Sequence, residues 1–341
     1  MRNFGFEQKA KHMLRIGVLG AGHLGRIHLK LLKNMEGYEL VGFYDPDDVN
    51  SQKAIDAHGV KRFATAEALI DAVDVVDVVT PTISHYDSAA KAIKRSRHVF
   101  IEKPVTATAE EARNLIALAA EADVKVMVGH VERFNPAFLS VKDRTVNPMF
   151  IEAHRLAQFN PRGTDVSVIL DLMIHDIDII LSMVKANVKR ISASGVAVIS
   201  KNPDIANARI EFDNGCVANI TASRISMKQM RKIRLFQPNN YLSIDLLEKK
   251  TEIFSLSDEP ATEDNPALEF ETGNEGETKY VRYEEPAIGD GNAIGMELEL
   301  FRDAIVNDTE PPVTLTDGYN ALDAALQVMK KIEKNSLGIA Q

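Results

Sequence analysis

The chain has a single cysteine, Cys216, among its 341 residues. One thiol cannot close an internal disulfide, and no CxxC pair is present to hold a metal. It follows the hairpin signal Asp213-Asn214-Gly215, which places it on a strand rather than at a reactive centre. No apolar run approaches the roughly 18 residues that a membrane span needs, so no membrane partner is expected. Basic residues form no long block and the formal net charge is −9, so no nucleic-acid partner is expected either. Met1 to His12 carry Arg2, Lys9 and Lys11 but no apolar stretch of signal-peptide length. They read as a short N-terminal extension (1–12), and together with the lone thiol they suggest a cytoplasmic location. The composition, 45% hydrophobic and 26% charged, is that of an ordinary soluble protein long enough for about two domains.

Apolar runs at 14–19, 39–44, 60–64, 74–80, 97–101 and 125–129 alternate with helical patterns near 23–35, 48–57, 66–72, 84–95 and 108–122. This rhythm predicts a doubly wound parallel sheet with helices on both faces. Beyond about residue 145 the rhythm changes. One helical pattern near 167–184 precedes strand-like runs at 189–199, 205–213, 216–224, 230–237 and 240–247. Turn signals at Asp213-Asn214-Gly215 and Pro238-Asn239-Asn240 make those runs antiparallel. The fold class is therefore α/β: a Rossmann domain over 13–134, then an α+β domain with an open, mostly antiparallel sheet over 135–341. Residues 257–278 are acidic and read as a surface loop. Two helices close the chain, near 292–307 and 317–335, and are able to pack back on the first domain. An open sheet leaves one face uncovered, which predicts a homodimer or homotetramer formed through that sheet.

Gly20, Gly22 and Gly25 stand between the first strand and the first helix, with His23 and Leu24 opening that helix and Asp45 ending the second strand. A dinucleotide pyrophosphate needs this arrangement. The first glycine makes the tight turn, the second lets backbone approach the phosphates, and the third lets helix and strand pack. The helix N-terminus offers N–H groups and partial positive charge to the anion. Asp45 would pair with the adenosine ribose hydroxyls and repel a 2′-phosphate, and Asp47 and Asp48 add negative charge, so NAD is expected rather than NADP.

Further candidates lie just past later strands. Glu102-Lys103-Pro104 puts a lysine at the cofactor cleft, with a cis peptide bond possible before the proline; a surface lysine is the bland alternative. Gly129-His130, followed by Glu132, Arg133, Phe134 and Asn135, offers polar groups for substrate or nicotinamide, or serves as a structural linker. Asp171 and His175 are four apart and share a helical face. A carboxylate beside an imidazole tunes a general base, although a solvated pair has the same spacing. A metal site built from Asp171, His175 and Asp178 lacks further ligands at recognisable spacing, so no metal is expected.

Taken together, Gly20-x-Gly22-x-x-Gly25, Thr80-Pro81 with His85, Glu102-Lys103-Pro104, Gly129-His130 and Asp171-x-x-x-His175 resemble the glucose–fructose oxidoreductase / inositol dehydrogenase (Gfo/Idh/MocA) family. The likeness spans nearly the whole chain. It implies oxidation of a sugar or cyclitol hydroxyl with a nicotinamide cofactor. It also implies that Lys103, Asp171 and His175 form the catalytic group and that Thr80, Pro81 and His85 line the nicotinamide half of the site. The segments Arg133-Phe134-Asn135-Pro136 and Asp171 to Asp178 look more like members acting on nucleotide-linked amino sugars such as UDP-N-acetylglucosamine. Arg155 and Arg162, shortly before the catalytic helix, would then meet a diphosphate by bidentate contacts. The alternatives are a dinucleotide-binding sensor without chemistry, or a reductase of a non-sugar carbonyl.

Overall fold

The computed structural model describes residues 13–142, 144, 146–160, 166–262, 265–271 and 278–339. The N-terminal extension and Arg162 lie outside the described residues. The chain divides into two compact units, the first reaching Gly129 and including Ile294–Tyr319, the second holding His130–Ala293 and the chain from Asn320 on.

The first unit runs β1 (Leu14–Leu19), α1 (His23–Leu32), β2 (Tyr38–Tyr44), α2 (Asp48–His58), α3 (Ala66–Ala72), β3 (Val75–Val78), α4 (His85–Ile93), β4 (His98–Glu102), α5 (Ala109–Ala122) and β5 (Val126–Gly129). The strands form one parallel sheet in the order β2-β1-β3-β4-β5. All four residues of β3 and of β5 are buried, which is why their apolar residues show no period-two alternation, with Asp77 the one charged residue among them. Strand order reverses between β1 and β3, so the carboxyl ends of these strands flank the crevice where such sheets bind ligands. The run 60–64, expected as a strand, is not one. Only the bridge between Phe43 and Arg62 forms there, because Phe43 alone exchanges backbone hydrogen bonds with Lys61 and Phe63.

The second unit holds α6 (Pro136–Leu139), β6 (Phe150–Leu156), α7 (Ile174–Val184), β7 (Val188–Val196), β8 (Ile205–Phe212), β9 (Val217–Ser223), β10 (Met230–Gln237), β11 (Asn240–Asp245), β12 (Lys250–Ser257), β13 (Leu268–Glu271) and β14 (Thr278–Glu284). The last two helices are α8 (Ala293–Val306) and α9 (Leu315–Ile339). A nine-stranded sheet forms in the order β13-β14-β12-β11-β10-β6-β9-β8-β7. Every neighbouring pair is antiparallel except β6 with β9. Ile151, Ala153, Ile220, Ile233, Leu242 and Ile253 alternate onto the inner face and pack with Ile177 and Ile180 of α7 and Ala325 and Val328 of α9. The DNG hairpin forms between β8 and β9 with Gly215 at φ +88°, and Cys216 is buried beside it. Two departures from the sequence reading stand out. Strand β6 lies in a stretch with no predicted element, and β13 turns part of the expected acidic loop into a hairpin with β14.

On the other face, Phe150, Phe236, Tyr241, Phe254 and Tyr283 sit opposite one another across five strands. Their ring centroids are 5.9, 5.0, 5.6 and 5.1 Å apart in succession. Such cross-strand aromatic pairs stabilise a sheet, yet Phe236 and Tyr283 remain 37% and 50% exposed.

Candidate functional site

The turn after β1 is shaped for an anion. Gly20 has φ +102°, and a side-chain carbon there would stand 2.5 Å from the Val79 carbonyl oxygen. At Gly25 it would stand 2.1 Å from the Gly20 carbonyl oxygen, so the helix can approach the turn only without one. Gly22, the N-cap of α1, faces open space and supplies no capping side chain, and the first turn of α1 carries no acid. The N–H groups at this end are left for a ligand. By contrast, Asp47, Thr65 and Thr108 cap α2, α3 and α5 with their own side chains. His23 is exposed and Leu24 partly so at the mouth of the turn. These features fit the pyrophosphate of a dinucleotide.

At the end of β2, Asp45 is buried against the same turn. It accepts the Ala21 N–H at 2.7 Å and the Asp47 N–H at 2.8 Å. Arg62 arrives from the bridge segment, donating to the Asp45 carbonyl oxygen at 2.9 Å and to the Asp48 carboxylate at 2.8 Å. Local sequence around Asp45 contains no cation; the fold brings one in from 17 residues away.

Past β3 and β4, His85 ties two loops together. Its Nδ1 lies 2.8 Å from the Pro104 carbonyl oxygen and its Nε2 2.8 Å from that of Thr80. Burial pulls its pKa below the ordinary range while the two carbonyls work the other way. A neutral ring donates from one nitrogen only, so its tautomer decides which loop it holds. Pro81 is exposed beside Thr80, the Lys103–Pro104 bond is cis, and Lys103 is half-buried. The Glu102 carboxylate turns inward and accepts the Lys103 N–H at 3.2 Å.

In the second unit, Asp171 lies in a π-helical turn, Ile169–Met173, that runs directly into α7. Such turns interrupt the ordinary ladder and are frequent at functional sites. Asp171 and His175 are both half-buried, whereas Asp176 and Asp178 just beyond them are buried. Arg155 donates to both oxygens of Asp176 at 2.9 and 2.8 Å and to Glu132 at 2.7 Å. Arg133 takes Asp178 bidentately at 2.8 and 2.7 Å, with His130 Nδ1 3.8 Å from the same carboxylate. Burial raises the Asp176 pKa and Arg155 resists it. The side chain of Asn135 caps α6 through the Ala137 N–H and donates to Glu132 and to the Leu246 carbonyl oxygen.

These partners redistribute the expected roles. Arg155, read from sequence as a diphosphate contact, is 3% exposed and holds two buried carboxylates, so it braces the start of α7 instead. Asp178, third member of the metal reading, is occupied by Arg133. Sequence reasoning missed Arg62, and also the buried residues His28, Asp77 and Glu297, because nothing local marks an ionisable group as buried.

Known proteins agree with this architecture. The profile "Oxidoreductase family, NAD-binding Rossmann fold" matches residues 14–130, and the GFO/IDH/MocA C-terminal domain matches 141–237. UDP-N-acetylglucosamine 3-dehydrogenase from Acidithiobacillus ferrooxidans is 33% identical over 94% of this chain and 97% of its own. A solved structure of that enzyme superposes with a TM-score of 0.85 at 34% identity, covering 94% of this chain and 98% of the other. scyllo-Inositol 2-dehydrogenase (NAD(+)) from Bacillus subtilis is 31% identical over 63% of this chain and 69% of its own. The chain belongs to the Gfo/Idh/MocA family of oxidoreductases, with an NAD-binding Rossmann fold in its first unit.

Proposed function

We propose that the protein is an NAD-dependent dehydrogenase of a nucleotide-linked amino sugar, oxidising the C3 hydroxyl of UDP-N-acetylglucosamine or a close analogue. The observation that carries this reading is the likeness to UDP-N-acetylglucosamine 3-dehydrogenase, 33% identical through both units, whereas inositol dehydrogenases matching as much of the chain are 24–25% identical. The reaction balances as alcohol plus NAD⁺ giving ketone, NADH and a proton. The bound dinucleotide supplies the hydride acceptor. His175 takes the hydroxyl proton, and Asp171 orients the imidazole and favours its protonated form. Lys103, as an ammonium, hydrogen-bonds the same oxygen and stabilises the negative charge developing on it. Thr80, Pro81 and His85 shape the nicotinamide side. His130, Arg133 and Asn135 form the wall near the sugar, and Arg162 supplies the cation for the diphosphate. With NAD present, nucleotide sugars, free sugars and polyols are to be compared by NADH absorbance. The reading expects turnover with UDP-N-acetylglucosamine. Turnover with polyols alone would overturn the substrate, and none with any hydroxyl donor would overturn the chemistry.

Cofactor choice rests on Asp45. Asp45→Ser removes the carboxylate that repels a 2′-phosphate and leaves Arg62 nearby to meet one. The ratio of kcat/KM for NAD over NADP is expected to fall about 10- to 100-fold, the worth of one hydrogen bond to a charged group. An unchanged ratio would refute the role.

The aromatic ladder of the nine-stranded sheet is the face we assign to a second copy of the chain, giving a homodimer or homotetramer. Contiguous apolar surface of this kind marks association. Light scattering is expected to give a multiple of the chain mass, and Phe236→Glu to lower it. A monomeric wild type would contradict the assignment.

A further inference from the structure

Around Glu102 the first unit buries four ionisable side chains drawn from four elements. His28 of α1, Asp77 of β3 and Glu297 of α8 are 0% exposed, and Glu102 of β4 is 7% exposed. Ionisable groups are seldom buried without a partner or a purpose. His28 Nδ1 lies 2.9 Å from Asp77 Oδ2. Its Nε2 stands 3.4 Å from Glu102 Oε1, an ionic contact without hydrogen-bond geometry. The other oxygen of Glu102 accepts the Lys103 N–H. A side-chain carbon at Gly129 would come within 2.9 Å of Glu102 Oε1, so the neighbouring strand leaves room for the carboxylate only because a glycine stands there. The Glu297 carboxyl oxygens and Asp77 Oδ1 have no hydrogen-bond partner among the described residues.

The charges in this cluster are unequal. Burial opposes a charge on His28, but Asp77 and then Glu102 outweigh it and hold the imidazole well above its usual range. Burial, and then the Glu102 charge, push Glu297 well above the carboxylate range. Burial also raises Asp77, with His28 resisting. Burial, and then the Asp77 charge, push the hydroxyl of Tyr38 in β2 up, and that hydroxyl donates to the Leu298 carbonyl oxygen of α8 at 3.1 Å. The His28 imidazole thus favours its charged form between the Asp77 and Glu102 carboxylates.

We infer that His28, Asp77, Glu102 and Glu297 form a buried charge chain that fixes the backbone of Lys103 and places a carboxylate on the residue next to its ammonium. Asp77 orients His28, His28 holds one oxygen of Glu102, and the other oxygen fixes the amide of Lys103. Glu297 closes the cluster from α8. These four are positioning residues, since none touches the reacting atoms. The inference rests on the catalytic role proposed for Lys103.

The test compares Glu102→Gln, which keeps shape and removes charge, with His28→Gln, their double variant, and Lys103→Ala. Each is assayed with NAD and UDP-N-acetylglucosamine across pH, with circular dichroism and NAD titration checking the fold. Glu102→Gln is expected to lower kcat about 10- to 100-fold, as a small misplacement of a catalytic group does. It is also expected to move the alkaline limb of the kcat profile down by about 0.5 to 1 pH unit, the effect of removing one anion near an ammonium. The double variant is expected to be no worse than the poorer single one, because the residues act as a unit. If Lys103→Ala abolishes turnover while folded Glu102→Gln keeps the wild-type kcat and pH profile, the charge chain is overturned and the role of Lys103 stands. Losses that multiply in the double variant would overturn it too. Wild-type turnover in Lys103→Ala would overturn the catalytic reading itself.

Discussion

His175→Ala is expected to lower kcat by about 10²- to 10⁴-fold, the usual contribution of a positioned general base. NAD affinity should persist, because the dinucleotide turn belongs to the other unit. Asp171→Asn keeps the shape of the carboxylate but not its charge. It is expected to cost less than His175→Ala, since it leaves the base in place with poorer orientation. The neighbouring carboxylates make the experiment clean: Asp176 and Asp178 are each held by an arginine, so neither can swing in to replace Asp171. Single-turnover kinetics with separately measured NAD affinity check both. Wild-type turnover in His175→Ala would remove the proposed base.

Lys103→Ala is expected to lower kcat by about 10²- to 10³-fold, as loss of a donor aimed at developing negative charge does. If lysine and histidine serve one oxygen as proposed, the double variant His175→Ala/Lys103→Ala should be little worse than the poorer single one. Independent, multiplying losses would mean that the two residues serve different steps. The same kinetics decide this, with KM for the sugar nucleotide read alongside kcat to separate binding from chemistry.

The residues behind these expectations differed in how far the sequence revealed them. The dinucleotide turn was legible because its glycines are forced by contacts within a few residues, such as Gly25 against the Gly20 carbonyl oxygen. The DNG hairpin was legible for the same reason. Lys103, Asp171 and His175 were visible as residues, but their setting was not. The π turn carrying Asp171 has no mark in a pattern of apolar spacing that suits an ordinary helix equally well. Arg155 was read as a diphosphate contact, because its partners Glu132 and Asp176 lie 23 and 21 positions away. His28 and Glu297 looked like polar members of amphipathic helices, and only tertiary packing buries them. Strand β6 was hidden because Arg155 interrupts the apolar residues of its inward face, and Arg155 is buried there against its carboxylates.

The claim on which the whole reading depends is that a hydride leaves the sugar for the nicotinamide. UDP-N-acetylglucosamine carrying deuterium at C3, incubated with the enzyme and NAD, tests it directly by mass spectrometry of the cofactor. Deuterium in the NADH formed, together with a 3-keto sugar nucleotide, is the predicted result. NADH without deuterium, or labelled substrate recovered intact while the protein still binds NAD, would contradict it.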